Sequence, residues 1–123
     1  HDARIVDAGG RPLAPSFFAT RHTKAGFFKN LWKNSYIGCC MSFRRELLRI
    51  ILPIPEGIPM HDQFIGLLAE QQGHVELIPR PLIDYRRHGN NVSGDHHGSF
   101  STMVSQRISM FRAVMSRRKQ AGI

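Results

Sequence analysis

With 123 residues, 41% of them hydrophobic, the chain is long enough for one compact core and no more. No apolar run approaches the ~20 residues that span a bilayer, and the opening HDARIVDAGGRPLAP lacks the charged head, apolar middle and small-residue cleavage site of a signal peptide; a soluble, cytoplasmic chain is expected. Seventeen Lys and Arg against nine Asp and Glu give a net charge of +8, a balance that favours anionic partners such as nucleotides, nucleic acid or acidic lipid surfaces.

ARIVDAGGRPL alternates and then meets Gly9 and Gly10, which predicts a short strand running into a turn. KAGFFKNLWKN sets Phe27, Phe28, Leu31 and Trp32 at helical spacing, with Lys24, Lys29 and Lys33 elsewhere on the wheel. This basic amphipathic helix is expected to face the core, with a membrane surface as the second candidate. The apolar run SYIGCCMSF reads as a buried strand, and RRELLRIIL as one or two helical turns stopped by Pro53. After the loop PIPEGIP, the residues Phe64, Ile65, Leu67, Leu68 and Ala69 mark a helix over 63–72 that Gly73 ends. HVELI and LIDYRRH, joined by PRP, predict two more strands, with the prolines confined to strand starts or an edge. GNNVSGDHHGS is a polar loop, and its NVS sequon at 91–93 reads as a turn. In FSTMVSQRISMFRAVMSRRKQ, the residues Val104, Ile108, Phe111 and Met115 recur at steps of four, three and four, predicting an amphipathic helix. Arg117, Arg118 and Lys119 lie at its end, where cations complement the helix dipole.

Cys39 and Cys40 are adjacent in an apolar run, which points to core positions and a reducing compartment rather than a disulfide framework. With His96 and His97 they would make a poor zinc site, because adjacent cysteines lack the usual gap between ligands. His61 and Asp62 stand at the mouth of the 63–72 helix. Asp62 suits a helix cap or a partner for the helix dipole, each worth about 1 kcal/mol.

Taken in order, HDARIVDAGGRP, NSYIGCCMSFRREL, IPMHDQFIGLLAE and PLIDYRRHGNNVSG resemble the C-terminal half of a bacterial family 2 glycosyltransferase. The likeness runs from about His1 to Gly94 and is greatest to rhamnosyltransferase-like members that build cell-surface polysaccharides. It implies an α/β fold (α+β as a fragment): the acceptor-side half of a GT-A nucleotide-diphospho-sugar transferase, a mixed sheet with flanking helices over 1–99, then a basic amphipathic helix over 100–123. It also implies an enzyme that moves a sugar from a nucleotide-diphospho-sugar donor to a saccharide or lipid-linked acceptor by inverting displacement, with a divalent metal, Mn or Mg. The family's Asp-x-Asp donor motif is missing, since no two of Asp2, Asp7, Asp62, Asp84 and Asp95 are one residue apart. A fragment inactive by itself is therefore expected, binding neither metal nor nucleic acid. Its uncovered sheet edge should drive homo-oligomers, and the intact enzyme should touch the inner face of the membrane peripherally. The alternative is a non-catalytic basic module that binds nucleic acid or anionic membrane.

The resemblance carries residue roles with it. Gly38 in SYIGCC adjoins the acceptor, where a missing side chain lets the backbone approach a sugar; otherwise it is a small residue in a packed strand. Asp62 takes the place of the catalytic base, and a carboxylate of ordinary pKa, about 3.9, is ionised at neutral pH and ready to accept the hydroxyl proton. His61, where glutamate is commoner, is assigned acceptor contact only. His88 in YRRHGNN matches a histidine that helps hold the metal, and imidazole suits Mn²⁺ better than Mg²⁺. Arg86 and Arg87 match positions suited to the leaving diphosphate, although alternation along a strand lets at most one of them reach it.

Overall fold

The computed structural model describes residues 1–88 and 99–122; the stretch 89–98, with the sequon at 91–93 and with His96 and His97, lies outside them. The expected first strand forms as β1 (Asp2–Val6), which buries Ala3, Ile5 and Val6. The turn after it places Gly10 at φ 83, a left-handed conformation that glycine adopts without steric cost. Asp7 closes that turn, its side chain accepting from Arg11 N at 2.8 Å and its carbonyl from Gly10 N at 3.0 Å. The chain returns as β2 (Pro12–Ala14), antiparallel to β1, and β3 (Pro81–Arg86) pairs parallel to β1 on its other side. The fold is thus mixed α/β, with a three-stranded mixed sheet in the order β2-β1-β3. Pro12 and Pro81 each start an edge strand, where a missing N–H is tolerated.

Two expected strands do not form. SYIGCCMSF is extended at Ile37 and Met41 but coils between them into a 3₁₀ turn, Gly38–Cys40, with Cys40 N donating to the Ile37 carbonyl at 3.0 Å. The run joins neither open edge of the sheet and closes its bonds locally. HVELI also stays irregular. Its Ile78 carbonyl accepts from Asp2 N at 3.0 Å, but Pro79 and Pro81 lack the N–H groups that would extend the pairing.

Among the described residues there are five α-helices, of which the first packs on β1 and the other four on one another. The first, α1 (Phe17–Arg21), is capped by Ser16, whose Oγ accepts from Ala19 N at 3.0 Å, and stops at His22 in the left-handed region. The basic segment forms α2 (Phe27–Trp32). A 3₁₀ turn at Arg45–Leu47 leads into α3 (Leu48–Ile51), which ends before Pro53 as expected. Next comes α4 (His61–Gln72), followed by Gly73. Phe64, Leu67 and Leu68 of α4 pack on Ile50 and Ile51 of α3 and on Met110 and Val114 of α5 (Phe100–Gln120). A second cluster, Ala3, Ile5, Phe17 and Cys40, joins β1 to α1 and the Gly38 turn.

The last helix forms, but on a different face from the one expected. Met110 and Val114 are fully buried, while Ile108 and Phe111 remain 46% and 39% exposed. A second stripe, Met103, Arg107, Met110, Val114 and Arg117, has the same spacing as the expected one. Its arginines decide which stripe turns inward: Arg107 donates to the Trp32 carbonyl at 3.0 Å, and Arg117 donates to the Pro53 carbonyl.

Candidate functional site

The segment 34–38 is held from three sides. Tyr36 lays its ring over Gly66 of α4 and donates its hydroxyl proton to Glu70. Burial, and then the bond to Glu70, push the Tyr36 pKa well above its ordinary value, so the phenol is a fixed donor. Ser35 is buried, its N and Oγ donating to Asn30 Oδ1 at 3.2 and 2.8 Å, and its Oγ receives Lys29 Nζ at 2.6 Å. Burial, followed by the nearby Lys33, lowers the Lys29 pKa. At the far end, the backbone nitrogen of His1 donates to the Cys40 carbonyl at 2.9 Å, tying the turn to β1.

Behind this segment a buried polar web fastens α2 to α4. Asn30, with no exposed surface, donates to the carbonyls of Lys24 and Gly26 at 2.8 and 3.1 Å and to Glu70 Oε1 at 3.1 Å. Gln63 Nε2 donates to the carbonyls of Asn30 and Leu31 at 2.7 and 3.1 Å, satisfying acceptors that the end of α2 leaves open. Glu70 Oε2 accepts from Gly26 N at 3.0 Å. Among the described residues no buried side-chain nitrogen or oxygen lacks a partner. Sequence reasoning missed this web, whose signal is the stripe Gln63, Gly66 and Glu70 at steps of three and four along α4.

The rigid frame brings three of the predicted residues together. His61 and Asp62 open α4, and a Cβ built on Gly38 would lie 3.1 Å from His61 Nε2 and 3.7 Å from Asp62 Cβ. A side chain at 38 would press on the exposed His61 ring, which would have to shift. Asp62 is half-buried, and its Oδ1 accepts from Gln63 N at 2.7 Å and from Asn34 Nδ2 at 3.3 Å. The cap reading thus holds for one oxygen, and Met60, the residue before the helix, supplies no side-chain cap. Among the described residues Oδ2 receives no hydrogen bond, so a fixed carboxylate presents one open acceptor beside the exposed His61. Asn34 was not foreseen.

The other predicted residues gather elsewhere, at the C-terminal end of β3. Arg87 N donates to the Val6 carbonyl at 2.8 Å, and Arg86 Nη1 donates to the Ala8 carbonyl at 3.1 Å. Arg86 continues the exposed face of Leu82 and Asp84, while the half-buried Arg87 follows Ile83 and Tyr85, consistent with opposed directions. Asp84 on that face is bound bidentately by Arg4 at 2.7 and 2.8 Å, a contact that lowers its pKa. His88 follows, exposed. Among the described residues no group of three or more His, Cys, Asp or Glu converges as metal ligands. Of these three side chains only the His88 imidazole could ligate a divalent cation, and no chemical step is assigned to a metal.

Cys40 is buried as expected, but Cys39 is exposed, with the two sulfurs 3.9 Å apart. Burial, then Cys39, push the Cys40 thiol up to about 12, which makes it a poor nucleophile. A cleft of about 850 Å³ opens between the 41–47 segment, α4 and the 74–78 segment. Phe43, Ile65, Ala69 and Ile78 are among its walls, and Gly38, His61 and Asp62 are not. No protein-family model, curated protein or solved structure matches the chain.

Proposed function

We propose that the chain forms the acceptor side of an inverting family 2 glycosyltransferase of cell-surface polysaccharide synthesis, with Asp62 as the general base. The observation that supports this reading is the approach of Gly38 to His61 and Asp62, 23 and 24 residues further along the chain, where the Asp62 carboxylate keeps one open oxygen. In the reaction, the acceptor hydroxyl gives its proton to Asp62 Oδ2 as its oxygen bonds to the anomeric carbon. The bond from that carbon to the diphosphate oxygen breaks, and the nucleoside diphosphate leaves with the electron pair. Gly38 lets the His61 ring lie close against the backbone, and His61 offers a hydrogen bond to a ring hydroxyl. Arg86 and Arg87 lie apart from Asp62, at the end of β3, and take no part in this step. The donor-binding carboxylates come from residues outside this sequence.

The test is to titrate the chain with a panel of mono- and oligosaccharides and follow its amide and imidazole NMR signals. Shifts that saturate at Asn34, Gly38, His61 and Asp62, and vanish in Gly38→Val, support an acceptor site. Saturable shifts centred in the 850 Å³ cleft, or none with any saccharide, would overturn it.

A further inference from the structure

Turning Met110 and Val114 inward leaves the other apolar stripe of α5 facing solvent beside α2. Phe28 is 78% and Trp32 55% exposed, next to the partly exposed Ile108 and Phe111. The Phe27 ring bridges the helices, its centroid 5.4 Å from Phe28 and 6.3 Å from Phe111, both edge to face. Arg107, bonded to the Trp32 carbonyl, closes the same junction one turn away. Apolar side chains this exposed on two adjoining helices form a continuous patch of the kind that marks an interaction surface.

The charge around the patch is of one sign. Lys24 and Lys33 flank α2, and Arg112 and Lys119 project from α5, all four exposed. Neither 24–33 nor 99–120 contains a single Asp or Glu. Aromatic and aliphatic groups interleaved with cations on in-plane helices match the boundary between lipid headgroups and acyl chains. A second copy of the chain would set cations against cations in any two-fold pairing. A nucleic acid would satisfy the cations but leave the aliphatic Ile108 against a polar backbone.

We propose that the α2–α5 face docks on an anionic membrane surface, with Phe28, Trp32 and Ile108 entering the headgroup boundary and Lys33 and Arg112 meeting lipid phosphates. This surface is independent of the role given to Asp62, and it places the chain on the membrane without any spanning segment; among the described residues no helix is long and apolar enough to cross one.

Trp32 is the only tryptophan and reports directly on the patch. Its emission should shift to the blue and be quenched by brominated lipid when the full chain meets vesicles of equal parts phosphatidylglycerol and phosphatidylcholine. Pure phosphatidylcholine should leave it unchanged, and about 1 M salt, where the screening length is about 3 Å, should reverse it. Arg112→Glu should weaken vesicle partition about tenfold or more, because each basic residue near such a surface contributes about 1 kcal/mol. Arg11→Glu, at the distant β1–β2 turn with the same change in net charge, should leave partition within about twofold. Phe28→Ser should reduce partition with the circular dichroism spectrum unaltered. Absence of a blue shift at low salt would overturn the proposal. So would a shift that grows with protein concentration without lipid, the mark of a second copy, or preferential binding to a duplex oligonucleotide over the vesicles.

Discussion

The ring of Tyr36 occupies a notch that only glycine leaves open at position 66: a Cβ there would fall 2.2 Å from Tyr36 Cδ2 and 2.5 Å from Cε2. The ring cannot swing away cheaply, since its hydroxyl is bonded to Glu70. Gly66→Ala gains about 1 kcal/mol of helix propensity but overpacks the contact, at about 1–3 kcal/mol or more. With a separation under 3.0 Å the overpacking wins. Urea denaturation should find Gly66→Ala less stable than the parent, and neutral or stabilising in a Tyr36→Leu background. Equal effects in both backgrounds would show that the ring is not what position 66 accommodates.

The Tyr36 phenol also predicts an alkaline limb. Unfolded tyrosine ionises near about pH 10, whereas burial and Glu70 keep the native hydroxyl protonated well above that. The native state then binds more protons than the unfolded one, so the stabilisation is complete below about pH 10 and declines as pH rises beyond it. Tyr36→Phe should flatten this limb while lowering stability at neutral pH, because Glu70 loses a donor. Denaturation midpoints between about pH 8 and about pH 11 test this; parallel curves for the two proteins would refute it.

Asp2 governs the acid side. Burial opposes its ionisation, but the Ser16 hydroxyl at 2.5 Å and the Phe18 and Ala3 amides at 2.9 and 2.7 Å outweigh burial and hold its pKa below the ordinary value. The unfolded carboxyl takes up its proton first, near about pH 3.9. The contribution is therefore complete above that pH and lost as pH falls through the native pKa. Ser16→Ala removes both the donor to Asp2 and the cap of α1. It should cost about 1–2 kcal/mol at neutral pH, and the gap from wild type should narrow below about pH 4. An unchanged gap would leave only the cap.

Asp62→Asn keeps an oxygen for Gln63 N and removes the proton acceptor. In a polypeptide that joins this chain to the donor-binding residues, sugar transfer should fall about 10²–10⁴-fold with the melting temperature near wild type. A variant that transfers normally but melts early would reduce Asp62 to its capping role.

Elements with strong periodicity were legible before the structure: β1, α2, α4, and α5 in its extent. The proximity of Gly38 to His61 and Asp62 followed from the family resemblance, not from spacing. α1 escaped notice because it is five residues long and its cap is secured by Asp2, a contact 14 residues away. The run SYIGCCMSF has strand composition, but its backbone closes a 3₁₀ turn at Gly38–Cys40 and Tyr36 is drawn to α4, contacts that composition does not display. The inward face of α5 was undecidable from pattern, since its two stripes share a spacing and arginine bonds to backbone carbonyls chose between them.

Arg4 and Asp84, on neighbouring strands, are separated by 80 residues of chain. The middle strand of the sheet therefore gains its parallel partner only after the intervening helices α1 to α4 have been made. At about 5–20 residues per second, a ribosome leaves β1 waiting roughly 4–16 s for β3. The β1–β2 hairpin that is available meanwhile is marginal alone, whereas α2, α3 and α4 lie within 46 residues of one another, Phe27 to Gln72, and can assemble first. Helices α2 to α4 and the polar web between them can thus form before β1, which is made ahead of them, gains its parallel partner.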